Sequence, residues 1–309
     1  MMAFKVLASD PLAAEAVAAM RDAGLEVDEK TELSPEELAI EIGAYDAIVV
    51  RSATKLTGEI LDAAAKLQLI VRAGVGLDNI DVERATERGI EVRNTPAASS
   101  NSVAELALGH LLSVARHIGR GTASVKAGRW EKKALKGVEI EGKTLGIVGI
   151  GRIGRLLAKK ADALGMRVVC YDAYLTESPI PEVAPRIELD RLLAESDFIS
   201  LHIPFEPFAG ATIGAAELAK MKDGVRIVNC ARGGVIDEAA LAAAIERGKV
   251  AGAALDVFAT EPPAADDRLL GLDAVSFTPH IGASTVEAQA RVGREAAQIV
   301  IDFAKKARG

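Results

Sequence analysis

The sequence predicts an α/β protein made of two doubly wound parallel-sheet domains. Three observations carry the prediction. Short β-branched runs alternate with alanine-rich helical segments, which is the pattern of a parallel sheet covered on both faces. The rhythm breaks at one long apolar stretch, residues 99–120, too long for a crossover inside a small unit. It restarts at Thr144 and continues to about His280.

The early strands are "FKVLAS" (4–9), "AIVVR" (47–51), "LQLIVRAG" (67–74) and "GIEVRN" (89–94), with helices such as 11–23 and 34–42 between them. The second of these helices opens on Ser34-Pro35-Glu36-Glu37, which combines an N-cap serine, a first-turn proline and a capping-box glutamate. Residues 99–120 read as one long helix leaving the first domain. A polar, irregular stretch follows and carries the only tryptophan, Trp130. The second run of alternation is "TLGIVG", "RVVCYD", "FISLHIP", "RIVNCAR" and "VAGAALDVF", with a helix between each and the next, followed by "AVSFTPH". One long helix closes the chain, with Ser284 and Glu287 at capping-box spacing.

Composition narrows the function. With 309 residues, 50% of them hydrophobic and 26% charged, the chain is long enough for two cores. A net charge of −7 and a pI of about 5.3, with no long basic run, fit neither nucleic acid nor an anionic membrane. Positive charge for an anionic ligand must therefore be local. Cys170 and Cys230 read as free thiols. The start shows no signal-peptide pattern, and no run of about 18 apolar residues would span a membrane, so the cytoplasm is expected.

The stretch "VGIGRIGR" (148–155) places glycines at Gly149, Gly151 and Gly154, with Arg152 and Ile153 opening the helix beyond. A G-x-G-x-x-G alone is weak, but here a buried-type strand enters it and a helix leaves it. The following strand ends at Asp172, 18 positions after Gly154. The first glycine permits the turn, the second lets backbone amides approach a pyrophosphate, and the third lets helix and strand pack closely. The helix N-terminus favours the phosphates. Asp172 would accept from ribose hydroxyls and repel a 2′-phosphate, which favours NAD over NADP.

Hydride transfer at a hydroxyl carbon needs an acid/base and a cation that grips the substrate. The chain has four histidines, His110, His117, His202 and His280. His110 and His117 lie seven apart, hence on one face of the long helix, and read as structural, with His110 the more buried. His202 follows a strand and reads as pocket-lining. His280 ends "VSFTPH", at the end of a strand, where open α/β sheets place their sites. Glu261 in "ATEPP" would fix the imidazole tautomer, and Arg232 in "NCARGG" would bind a 2-oxo acid. Taken singly, Glu261 reads as a solvated acid and Arg232 as a cap or interface cation. Three strand ends that each carry a needed group reverse that reading. No metal site is expected.

The motifs "GIVGIGRIGR", "NCARGGVIDE", "AGAALDVFATEPP" and "TPHIGAST" resemble the D-isomer-specific 2-hydroxyacid dehydrogenases over nearly the whole chain. The resemblance implies an NAD-binding Rossmann domain (99–281) and a flavodoxin-like substrate domain (1–98 with 282–309), with a cleft between them. It implies catalytic roles for Arg232, Glu261 and His280. It places Asp256 near the nicotinamide carboxamide, the Gly74-Val75-Gly76 backbone at the substrate carboxylate, and Arg51 and Ser52 near the distal end. Val75 stands where some relatives have Thr, so backbone amides must serve there. Cys230 is read as pocket wall.

"VVRSATKLT", "VRAGVGLDNID" and "RWEKKALKGVEIEGKTLG" resemble the members that oxidise D-3-phosphoglycerate to 3-phosphohydroxypyruvate, the first step of phosphorylated serine synthesis. Glyoxylate or hydroxypyruvate reduction is the alternative, and an NAD-sensing scaffold a remote one. The resemblance also implies a homodimer through the long helix and Trp130, a core tryptophan being the other reading. Longer members continue into a serine-binding ACT domain. Inhibition by serine through such a domain is therefore not expected of this sequence.

Overall fold

The computed structural model describes residues 4–308, so positions 1–3 and 309 of the expected first domain lie outside the described residues. The chain divides into two compact units. One runs up to Ser99 and resumes at Ala283; the other is Ser100–Gly282.

The first unit holds β1 (Lys5–Ala8), β2 (Glu26–Glu29), β3 (Ala47–Val50), β4 (Leu69–Arg72) and β5 (Glu91–Asn94), all parallel, in the order β2-β1-β3-β4-β5. This is the flavodoxin-like doubly wound order. Side chains alternate between faces along each strand, so the sheet needs an apolar layer on both sides. Val6 and Val49 face a layer with α1 (Ala14–Asp22) and the terminal helix α11 (Val286–Arg308). Leu7, Ile48 and Val50 face the other, with α2 (Pro35–Glu41), α3 (Gly58–Ala63) and α4 (Val82–Glu87). α11 docks through Val292, Ala296, Val300 and Ala304, a stripe at every fourth residue.

The second unit holds β6 (Thr144–Val148), β7 (Arg167–Tyr171), β8 (Phe198–Leu201), β9 (Val225–Asn229), β10 (Val250–Leu255) and β11 (Val275–Phe277). Their order is β11-β10-β9-β8-β6-β7, again all parallel. The chain moves from β6 outward to β7, then returns to β8 on the other side of β6. The switch point where open α/β sheets bind ligands therefore lies between β6 and β8. α5 (Ser100–Arg116) and α7 (Arg152–Ala163) cover one face; α8 (Leu189–Glu195), α9 (Ala215–Lys220) and α10 (Glu238–Glu246) cover the other.

The structure departs from the sequence reading at three places. Residues 99–120 do not form one helix. α5 stops at Arg116, His117 takes a left-handed φ of 55°, and α6 (Ile118–Lys126) begins anew. The cause is a returning segment: the Val138 amide donates to the Ala115 carbonyl at 2.9 Å and so caps α5. His110 and His117 consequently do not share a helix. At α11 the cap is Thr285, whose hydroxyl accepts from the Ala288 amide at 3.1 Å, so Ser284 lies one residue too early. β2 was not anticipated, because "EVDE" buries only Val27.

The Ser34–Glu37 capping box forms in both directions, at 3.2 and 2.8 Å. Trp130 is 83% exposed and does not belong to the core. Among the described residues no helix is long and apolar enough to cross a membrane.

Candidate active site

The C-terminal end of every strand in the second unit leads to a predicted site residue. After β6 comes the glycine loop. Gly149 has φ +93°, and a Cβ there would stand 2.5 Å from the His202 carbonyl oxygen. A Cβ on Gly154 would fall inside the radius of the Gly149 carbonyl oxygen, so α7 rests directly on the turn. A Cβ on Gly151 would meet nothing within 4 Å. Gly151 is also the N-cap of α7, so this space lies at the positive end of a 12-residue helix, a fit to a pyrophosphate. Arg152 and Ile153 form the first turn.

Asp172, just past β7, accepts from the Ile150 amide at 3.1 Å and from the Tyr174 amide at 3.0 Å. It thereby ties its own turn to the glycine loop. His202, after β8, shares a 2.9 Å hydrogen bond between Nε2 and Ser200 Oγ, while its Nδ1 is buried without a partner. Burial pushes this imidazole down to about 4, so it is neutral in ordinary buffers.

After β9, the buried Asn229 side chain builds the turn that carries Arg232. Its Nδ2 donates to the Arg232 carbonyl at 2.9 Å, and its Oδ1 accepts from the Ala231 amide at 3.0 Å. Gly233 packs so closely on Phe258 that a Cβ would stand only 2.6 Å from the Ala259 amide nitrogen. The arginine turn is thus seated against the segment that leads to Glu261. That segment is pinned again by Glu238 on α10, which accepts from the Ala259 amide at 2.7 Å.

Glu261 divides its two oxygens. Oε1 accepts from the Phe258 amide at 3.1 Å, and Oε2 meets His280 Nδ1 at 2.6 Å. A deprotonated carboxylate can only accept, so this contact places a proton on Nδ1 and leaves Nε2 of a neutral imidazole as an acceptor. His280 sits at φ +51°. A non-glycine residue there costs about 1 kcal/mol or more, so other interactions must hold it.

They come from Asp256 at the end of β10, which is only 1% exposed. Its Oδ1 accepts from the Thr278 hydroxyl at 2.5 Å and the Ile281 amide at 2.8 Å, and its Oδ2 from the Gly282 amide at 2.9 Å. These three bonds bracket His280. Beside it lies a cavity of about 400 Å³, walled by Phe258, Leu270, Phe277 and Pro279. Cys230 is 6% exposed, and burial pushes its thiol above the ordinary range, which suits a wall.

The expected substrate residues lie in the first unit at the ends of the adjacent strands β3 and β4. The Arg51 amide bonds the buried Asp10 carboxylate, which also holds the Thr54 hydroxyl at 3.1 Å. Asn79 donates to the Arg51 carbonyl at 2.8 Å and the Thr54 carbonyl at 2.6 Å. Arg51 and Ser52 therefore sit on a fixed turn, with Ser52 exposed. Gly74 has φ +152°; its carbonyl accepts from the Thr95 amide at 2.9 Å, and the Val75 carbonyl from Asn94 Nδ2 at 2.6 Å. The Gly74-Val75-Gly76 turn is thus tied to the end of β5.

Sequence reasoning passed over Asn229 and Thr278; it read His110 as structural and the more buried of its pair, as found at 5% exposure, but not as the partner of Thr278. Asn229 had a local signal, since it opens "NCARGG". The pairing of Thr278 with His110, 168 positions apart, had none. Among the described residues no group of His, Cys, Asp or Glu is arranged to hold a metal ion.

Comparison with known proteins gives consistent likenesses. Residues 108–282 match the family model described as D-isomer specific 2-hydroxyacid dehydrogenase, NAD binding domain. A hydroxypyruvate reductase of Thermotoga maritima is 53% identical over 298 residues, 96% of either chain. A D-3-phosphoglycerate dehydrogenase of Archaeoglobus fulgidus is 48% identical over 97% of this chain, which spans only 57% of that relative's length. Among solved structures, a D-lactate dehydrogenase from Aquifex aeolicus complexed with NAD and lactic acid superposes with a TM-score of 0.82, at 33% identity, covering 98% of this chain and 96% of that one.

Proposed function

We propose an activity from one premise: the chain belongs to the D-isomer specific 2-hydroxyacid dehydrogenase family. The activity is NAD-dependent, reversible oxidation of D-3-phosphoglycerate to 3-phosphohydroxypyruvate, opening the phosphorylated route to serine. The observation that carries the chemistry is the 2.6 Å pair of His280 Nδ1 and Glu261 Oε2. It leaves Nε2 as the base that takes the C2 hydroxyl proton. As that proton arrives, Glu261 balances the imidazolium charge. Arg232 holds the substrate carboxylate and the developing carbonyl oxygen. Gly149, Gly151, Arg152, Ile153, Gly154 and Asp172 would hold NAD⁺, which would supply the hydride acceptor. His202 and Asp256 complete that side of the pocket. The open space at Gly151 supports this placement. Gly74, Val75 and Gly76 offer backbone to the carboxylate, and Arg51 with Ser52 offers the distal phosphate a cation and a hydroxyl.

In this reading residues 99–281 form the cofactor domain, and residues 1–98 with 282–309 the substrate domain. A second reading has a specific support: the likeness to the hydroxypyruvate reductase covers 96% of both chains. It keeps every catalytic residue and discards only the phosphate roles of Arg51 and Ser52.

The protein is proposed to be a cytoplasmic homodimer. Ile118, Val125 and Trp130 are 54%, 59% and 83% exposed, and the first two lie seven apart on one face of α6. Such a stripe with an exposed tryptophan is the kind of anchor that interfaces bury. Both thiols, Cys170 and Cys230, are buried and free, as suits a reducing compartment.

The deciding experiment compares kcat/KM for NADH-dependent reduction of 3-phosphohydroxypyruvate, hydroxypyruvate, glyoxylate and pyruvate. A preference of about a hundredfold for the phosphorylated acid is expected, in the range of one well-made charge-assisted contact. A flat ranking, or one led by hydroxypyruvate, would replace the first reading with the second. NADH binding without turnover on any of the four would favour an NAD sensor.

A further inference from the structure

His110 lies outside every role assigned above. It is 5% exposed on α5, and its Nε2 stands 2.9 Å from the Thr278 hydroxyl oxygen. That hydroxyl has one proton to give, and Asp256 Oδ1, 2.5 Å away, is an acceptor. The Thr278 oxygen therefore meets His110 as an acceptor. His110 must carry its own proton on Nε2 and donate it. Burial lowers the proton affinity of this ring, with the Asp256 charge opposing, which suits a neutral, fixed donor. α5 touches the same turn a second time. A Cβ on Gly282 would stand 3.3 Å from Val103 Cγ2, and Val103 lies seven residues before His110 on the same helix face.

We propose that His110 is a positioning residue: the chain from His110 Nε2–H through the Thr278 hydroxyl to Asp256 fixes the 278–282 turn that presents His280. The inference rests on His280 being the acid/base. Asp256 alone could accept from a rotating Thr278 hydroxyl. The second partner removes that freedom, because the oxygen can satisfy His110 and Asp256 together in only one rotamer. The turn is then held from the helix face as well as from β10, and His280 stays at an otherwise unfavourable φ.

The test uses His110→Leu and His110→Gln in the full chain, with His280→Asn alongside. Two quantities are read: amide hydrogen exchange at Ile281 and Gly282 without ligand, and kcat and KM on the best substrate. In His110→Leu, exchange at those amides should quicken about tenfold while that along α11 stays the same. Its kcat should fall about tenfold, with KM for NADH within about twofold of the parent. Gln places an N–H near the position of the imidazole Nε2, so His110→Gln should restore exchange and kcat to within about threefold.

Unchanged exchange and kcat in His110→Leu would overturn the proposal. So would a His110→Gln variant as impaired as His110→Leu, since packing rather than the proton would then be responsible. Should the leucine variant not fold, Thr278→Val interrupts the same chain at its middle. Faster exchange at Ile281 and Gly282 is expected there, and parental exchange would overturn the proposal. A His280→Asn variant that keeps its turnover would remove the acid/base reading instead, and the exchange result would still decide whether His110 holds the turn.

Discussion

Gly151→Ala and Gly154→Ala separate the two jobs of the glycine loop. Gly151 has φ −68° at the N-cap of α7, a conformation alanine adopts readily, and its added methyl would meet nothing within 4 Å. The only folding cost is the poorer N-cap, about 0.5 kcal/mol. The methyl would, however, occupy the space assigned to the pyrophosphate, so NADH affinity should fall at least about tenfold, or 1.4 kcal/mol. Gly154 behaves in the opposite way. Inside a helix, alanine gains about 1 kcal/mol over glycine. Against that, its methyl would overlap the Gly149 carbonyl and stand 3.2 Å from Ile147 Cγ2. The buried backbone of a tight turn yields little, so the overpacking cost lies at the upper end of about 1–3 kcal/mol, and a net loss of about 2 kcal/mol is expected. Thermal melts give the stability and NADH fluorescence gives the affinity. A Gly151→Ala protein that binds NADH like the parent would refute the cradle, and a Gly154→Ala protein that melts with the parent would refute the packing argument.

Three other outcomes follow from the same geometry. Glu261→Gln keeps the acceptor for Phe258 but turns an amide N–H toward His280 Nδ1, forcing the proton onto Nε2. Oxidation should slow about a hundredfold with NAD⁺ affinity unchanged, and a loss confined to affinity would count against the general-base role. His202 is held down to about 4 in the folded state, below the free value of about 6.5, so the unfolded chain binds the proton more tightly between those values. Its stabilising contribution is whole above pH 6.5 and is lost as pH falls toward 4, about 2 kcal/mol by pH 5; a His202→Gln protein with the same pH dependence of unfolding as the parent would contradict this. Trp130→Ala, which removes an 83% exposed side chain, should leave the melting temperature within a few degrees and weaken self-association in sedimentation, and an unaltered dimer would move the interface elsewhere.

Legibility followed how local each interaction is. β3 and β6 are buried along their whole lengths, so their apolar runs mark them as central parallel strands. β2 escaped because an edge strand with one buried side chain carries almost no pattern. The break at His117 escaped because its cause, the Val138 amide on the Ala115 carbonyl, arrives from 23 residues downstream. The glycine spacing and the positions of Arg232, Glu261 and His280 after their strands were readable, since each needs only its own strand and loop. The supports of those residues were not. Asp256 was read from family likeness as a neighbour of the cofactor, whereas its three bonds to the His280 turn exist only once β10 and β11 lie side by side.

Two carboxylates flank His280, and their surroundings divide the work between them. Asp256 is almost wholly buried and meets three donors from the turn, none of which can leave without exposing a charge in an apolar interior. Its natural task is to hold a shape. The Glu261 side chain is 37% exposed and meets one backbone amide and the imidazole, so solvent can answer a change in its charge balance. In the proposed mechanism Glu261 answers a proton that arrives and leaves in each turnover, and such a group belongs in the second setting, where reorganisation costs little. A group that keeps a histidine at φ +51° belongs in the first. Under that mechanism, exchanging the two environments would give a rigid partner that resists the imidazolium and a mobile turn that lets it drift, so burial and partner identity favour this division of roles where carboxylate type alone does not.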